Sequence, residues 1–294
     1  MTASYQTLRH LLTRALLLAV LAVGLSAQAY AQDDQEYKKA YNAALEAAKA
    51  KDYDTAYTEF SRAAQLATAQ GDDNVVKSSK KVMAQIDGAR GRQAAKRENF
   101  EQAIQHFDTG IANNPDYARN YHDKGDVLLL DMGNKEEGIA TLQMAIEKAN
   151  AEGEPKVARS ANNKISIYFL NQIKPLLENN PSSSQADQAI AILTEMQDYL
   201  EFGADEYFYM AMAYNAKNDF AQAVAMADEA LDSGRISRND QAKINFIKGE
   251  ALMKSGDNEG ARAAFAQVTT GAFRPSAEYE LCNLGVRDKC QQGN

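Results

Sequence analysis

Histidine is the side chain best suited to move a proton near neutral pH, and this chain holds three, His10, His106 and His122. A hydrolytic site would need one of them to converge with a Ser or Cys nucleophile and an orienting acid. His122 is followed by Asp123, but neighbours on a helix point about 100° apart, so the two are expected not to bond. His106 adjoins Phe107, a packing residue. Both are read as solvated or groove-edge histidines. The sequence contains no G-x-G-x-x-G, Walker loop, H-E-x-x-H or G-x-S-x-G. Gly88-Ala89-Arg90-Gly91 has neither the preceding strand nor the Lys-Ser/Thr end of a phosphate loop. The reading is therefore non-enzymatic, with no cofactor and no metal.

Cys282 and Cys290 are the two cysteines. On an unbroken helix their spacing would hold them ~12 Å apart, too far to bond. Asn283-Leu284-Gly285 ends that helix, so the tail can turn back and a disulfide is expected, pinning the C-terminal end. Free thiols are the alternative; a zinc site lacks a nearby His. Acid pairs at Asp72-Asp73, Glu136-Glu137 and Asp205-Glu206 fall where helices should start, and there negative charge is stabilising. None has the alternating acids of a calcium loop.

The N-terminus reads as an address. Arg9 and Arg14 precede an apolar run from Ala15 to Leu25, and Ala29-Tyr30-Ala31 supplies an A-x-A cleavage site. The run is about half of the ~20 residues a bilayer-crossing helix needs. Residues 1–31 are thus expected to be a signal peptide and the protein to be exported, periplasmic or secreted. The net charge is −8 and becomes more negative once Arg9 and Arg14 are lost. Such a surface is repelled by nucleic acid, and no later apolar run reaches membrane-spanning length.

What must position any site is a repeated pattern. Tyr53, Ala56, Phe60 and Ala63 return as Phe100, Ala103, Phe107 and Gly110. They return again as Phe220, Ala223, Ala227 and Ala230, and as Asn258, Ala261, Phe265 and Val268. Small and bulky positions at helical spacing, in units that cannot bury their apolar faces alone, call for stacked helical hairpins. Six are read: Gln35–Ala50 with Tyr53–Ala69, Asp73–Arg97 with Phe100–Asn113, and Asp116–Asp131 with Lys135–Asn150. The rest pair Pro155–Leu177 with Ser184–Phe202, Asp205–Ala216 with Phe220–Asp232, and Asp240–Lys254 with Asn258–Thr269; Ser276–Leu284 closes the end. Turns at Lys51-Asp52, Gly133-Asn134, Asn218-Asp219 and Gly256-Asp257 separate the helices within a hairpin.

On these residues the chain resembles the tetratricopeptide repeat (TPR) family. The match is clearest over 118–150 (Gly125, Leu128, Gly138, Leu142, Ala145), 204–234 (Tyr207, Ala211, Tyr214, Phe220, Ala223, Ala230) and 242–274 (Gly249, Leu252, Ala261, Phe265). It is loosest in the fourth hairpin, where Ala189 and Leu193 fit but Asn179 to Ser184 makes a long loop. The resemblance implies an all-α, right-handed superhelical solenoid of about six antiparallel pairs, continuous over 32–294, with a C-terminal capping helix. It further implies a concave groove lined by the first helix of each pair. That groove would show Tyr41 and Leu45, then Arg92 and Lys96, then Arg119, His122 and Asp126. Further on come Phe208, Met212 and Asn215, then Phe246, Glu250 and Met253.

A groove with a basic middle and an aromatic, Met-rich end can hold a peptide, Arg meeting carboxylates and Phe or Met taking apolar side chains. The expected function is a protein-binding scaffold of the cell envelope, or more narrowly a chaperone or assembly factor for exported or outer-membrane proteins. A glycan-cleaving enzyme would need paired groove carboxylates, for which Asp126 and Glu250 are the sole nominees, several hairpins apart.

Overall fold

The structure is a computed structural model that describes residues 36–290. The expected signal peptide lies outside the described residues. Thirteen α-helices follow one another with no strand among the described residues. They are α1 (Glu36–Lys49), α2 (Tyr53–Gln70), α3 (Asp73–Ala95), α4 (Phe100–Asn113), α5 (Ala118–Asp126), α6 (Lys135–Ala151) and α7 (Pro155–Leu177). Then come α8 (Ser183–Met196), α9 (Ala204–Ala216), α10 (Phe220–Asp232), α11 (Arg238–Ser255), α12 (Asn258–Ala266) and α13 (Arg274–Asn283), with a 3₁₀ turn at Arg287–Lys289. Two compact units result, one ending at Lys164 and one beginning at Ile165, so the boundary falls within α7.

The hairpin turns explain why the helices break where they do. Lys51, Glu98, Gly133, Asn218 and Gly256 all take left-handed backbone (φ of 65°, 62°, 69°, 62° and 90°). Each is followed by Asp or Asn, and four of those five side chains accept the backbone N–H three residues on: Asp52, Asn134, Asp219 and Asp257. One residue thus reverses the chain and the next caps the new helix. The acid pairs behave as helix-start charges. Asp72 caps α3, Glu137 accepts from the Asn134 amide, and Glu206 accepts from the Gly203 N–H.

In the first unit α1, α2 and α3 enclose Tyr37, Tyr41, Leu45, Phe60, Val82 and Ile86. The α3–α4 pair closes tightly because Gly91 has no side chain: a Cβ there would lie 2.5 Å from the Phe107 ring. In the second unit Gly249 gives Phe265 the same room, at 2.7 Å. Phe246 lies against both Phe265 and Phe273, with ring centroids 5.7 and 4.9 Å away. Cys282 and Cys290 are joined, and Arg262 donates to the Leu284 carbonyl, so α13 and its tail are held to the last pair.

Two helices depart furthest from the sequence reading. The helix expected over Asp116–Asp131 starts at Ala118 and changes at Val127 to a π-helical turn, Val127–Asp131. There Leu129 packs so close to α6 that a Cβ on Gly138 would lie 2.8 Å from it. The helix expected to reach Phe202 stops at Met196. Tyr199 leaves it to stack on Phe169, 5.8 Å between centroids.

Candidate functional site

The residues nominated for a groove separate into two classes. Tyr41 (3% exposed), Leu45 (5%), Phe208 (6%), Asn215 (6%) and Phe246 (9%) are buried. Tyr41 packs edge-on to Phe60, and Lys243 lies over the Phe208 ring at 4.9 Å. Tyr41, Leu45, Phe208 and Phe246 belong to the hydrophobic clusters of their own units, and Asn215 accepts from Lys254 at 3.4 Å. Arg92, His122, Met212, Glu250 and Met253 are half-buried, while Lys96 and Arg119 are exposed. Burial pushes the Glu250 carboxyl up, with the nearby Lys254 opposing. Asp126 pairs with Lys164 at 2.7 Å.

The first unit brings several of the others together. Arg92 comes from α3 and Asp123 from α5, and they form an ion pair at 2.7 Å. Lys96 stands one turn beyond Arg92, just past the end of α3, and Arg119 one turn before Asp123 on α5. His122 corrects the sequence expectation. Its Nδ1 lies 2.8 Å from Asp123 Oδ1, with Asp123 held on its other oxygen by Arg92 of α3, across the α3–α5 seam. Its Nε2 lies 2.8 Å from Ser160 Oγ on α7. The result is a line of contacts from Arg92 through Asp123 and His122 to Ser160.

Burial raises the Asp123 carboxyl, but the bond to His122 and the charge of Arg92 outweigh it and hold the group below its ordinary value. Tyr117, at the foot of α5, is pushed up by burial, with Arg119 and Arg92 opposing. Three lysines near here are paired, Lys124 with Asp108 and Glu137, Lys148 with Asp116 and Lys164 with Asp126, whereas exposed Arg97 and Arg159 have no ion pair among the described residues. The side chains of Lys96 and Arg119 have neither an ion pair nor a hydrogen-bond partner among the described residues.

Behind the seam, Asn120 is fully buried between Gly88 and Gly110 and donates to the Ala84 carbonyl at 3.0 Å. It locks α5 onto α3 and so fixes where Arg119 and His122 emerge. Asp87, 2% exposed, accepts from Tyr57 at 3.2 Å and Asn113 at 3.0 Å, with Arg90 3.7 Å away. Asn120, Asp123, Ser160 and Asp87 were missed as site or framework residues. Asp87 was findable, since it stands one turn after Met83 in the buried phase of α3.

Two stretches, 89–155 and 210–277, match the tetratricopeptide repeat model. These two stretches are tetratricopeptide repeats. Its helix pairs form a protein-interaction scaffold, and the first matched stretch contains Arg92, Lys96, Arg119, His122 and Asp123. Among solved structures, the TPR protein is similar to a thermophilic TPR protein of Thermus thermophilus: 14% identity, TM-score 0.31, covering 69% of this chain and 99% of that one. It is similar to yeast Tom70 at 16% identity and TM-score 0.34, over 88% of this chain but 58% of that one. PilW, a type IV pilus biogenesis factor, aligns at 15% identity and TM-score 0.29, over 86% and 99%. At these identities and TM-scores none of them bears on what the TPR protein binds. No curated protein matches it. No described helix is long and apolar enough to cross a membrane.

Proposed function

We propose that this TPR protein is a non-enzymatic scaffold of the cell envelope that holds an acidic segment of a partner protein on the α3–α5 face of its first unit. The observation that carries this reading is the pair of uncompensated cations, Lys96 and Arg119, beside the half-buried Arg92. A chain of net charge −8 pairs Lys124, Lys148 and Lys164 internally and leaves Lys96 and Arg119 open, along with exposed Arg97 and Arg159. Arg119 offers a planar fork that a carboxylate can meet with two bonds, and Lys96 adds a point charge one turn along the neighbouring helix. Arg92 stays behind as the group that keeps Asp123 from repelling the ligand. Export is supported by Arg9, Arg14, the Ala15–Leu25 run and Ala29-Tyr30-Ala31.

Half-buried Met212 and Met253 in the second unit favour the narrower chaperone reading, in which soft apolar side chains are taken as well. A panel of fluorescent peptides, acidic, neutral and basic, tests the main reading. Acidic peptides should bind, and binding should fade as the Debye length shrinks from ~10 Å at 0.1 M salt towards ~3 Å at 1 M. Equal binding of all three classes, or indifference to salt, would reject a charged anchor.

A further inference from the structure

The Arg92–Asp123–His122–Ser160 line has the connectivity of an activated hydroxyl. In this chain the hydroxyls of Thr58, Thr68, Thr109, Thr141 and Thr194 all donate back to the carbonyl four residues earlier on their own helix. That is the default for a hydroxyl inside a helix. Ser160, inside α7, turns instead to His122 Nε2, 38 residues away, as Ser166 on the same helix turns to Glu206. An ionised Asp123 accepting from Nδ1 fixes the imidazole proton there, which leaves the Nε2 lone pair facing Oγ. Both carboxylate oxygens are engaged, Oδ1 by His122 and Oδ2 by Arg92, so the carboxylate cannot swing away. The side chains of His122 and Asp123 are 13% and 15% exposed, whereas Ser160 is half-exposed. The base is sheltered and the hydroxyl is reachable.

We propose that Ser160 is a nucleophile that accepts an acyl group from activated esters, with His122 as its general base and Asp123 as the residue that orients His122. In the step, Oγ bonds to the acyl carbon and the bond from that carbon to the departing phenolate breaks. The Oγ proton passes to Nε2 and from there to water. Ser160 lies five residues into α7, where its N–H is committed to the helix ladder, so the backbone offers no oxyanion donors at this point. Acylation of a good leaving group therefore proceeds while deacylation is slow, and the site captures one acyl group rather than turning over. This reactivity does not depend on whether the neighbouring face holds a peptide.

p-Nitrophenyl acetate and the intact protein provide the test. The expected result is a burst of nitrophenolate of about one equivalent per chain, with the acetyl group mapped by mass spectrometry to Ser160. Exposed Ser183 and Ser184 in the same digest should stay unmodified and serve as internal controls. Ser160→Ala should abolish the burst. His122→Gln should slow it on the order of 100-fold, and Asp123→Asn should slow it less, with helix content unchanged in both. Acetylation confined to lysines, equal labelling of Ser160 and the control serines, or a folded His122→Gln variant that reacts like the parent would overturn the proposal. Where a variant fails to fold, the ratio of Ser160 to control-serine labelling in the parent protein decides alone.

Discussion

The two units share one construction rule and differ in what fills the seams. In the first, Gly91 admits Phe107; in the second, Gly249 admits Phe265. Around that contact the first unit adds directional polar bonds: Tyr57 and Asn113 to Asp87, Asn120 to Ala84, and Arg92 through to Ser160. The second adds rings, with Phe208, Phe246, Phe265 and Phe273 in one cluster. Aromatic packing tolerates small slips, whereas a hydrogen-bonded seam fixes register and leaves charged ends near the surface. On the proposed reading, the unit built on polar order is the one that holds the charged ligand.

The sharpest way to break the comparison is to hollow out the aromatic unit. Phe265, 1% exposed, should cost about 3–5 kcal/mol when replaced by Ala, measured by chemical denaturation. Phe208→Ala and Phe246→Ala should likewise read out as lost stability, because both rings are buried. Next comes overpacking. Ala223, with no exposed surface on α10, should lose about 1–3 kcal/mol as Leu, and Gly91→Ala in the first unit should fall in the same range.

In the polar unit Asp87→Ala should cost about 1–3 kcal/mol by leaving Tyr57 and Asn113 without their acceptor. Its pH dependence sharpens the contrast with Asp123. Burial raises Asp87 above its ordinary 3.8, against the bonds from Asn113 and Tyr57. Ionisation there opposes folding, and stability is lost as pH rises from 3.8 through the elevated folded value. Asp123 is depressed, so its contribution is present above 3.8 and is lost as pH falls through the lower folded value. Denaturation at about pH 3 and about pH 7 should show Asp87→Asn gaining relative to the parent as pH rises, and Asp123→Asn losing. The smallest effect should be Asp232→Ala, exposed at the end of α10, at under about 0.5 kcal/mol.

Much of the fold could be read from the sequence because it rests on local rules. Ala56, Ala103, Ala223 and Ala261 recur at the contact between paired helices, and all four are fully buried. The capping Asp and Asn residues follow the reversing residue at fixed offset. The site was less legible, since its geometry comes from long-range partners. Neighbouring His122 and Asp123 diverge on a helical wheel, and only the enclosing α3 and α7 bend them together. Phe208 and Phe246 looked like groove residues because the family pattern places them on the first helices, but their own cluster covers them.

The decisive measurement sets the two units against each other in one binding experiment. A fluorescent acidic peptide would be titrated into the parent protein, a Lys96→Glu/Arg119→Glu variant and a Met212→Ala/Met253→Ala variant, with helix content checked for each. Arg92 is left alone so that Asp123 keeps its partner. Charge reversal on the first unit should remove most of the affinity, while the second-unit variant should bind as the parent does. Full affinity in the Lys96→Glu/Arg119→Glu protein, with loss in the Met212→Ala/Met253→Ala protein, would contradict a charged anchor on the first unit.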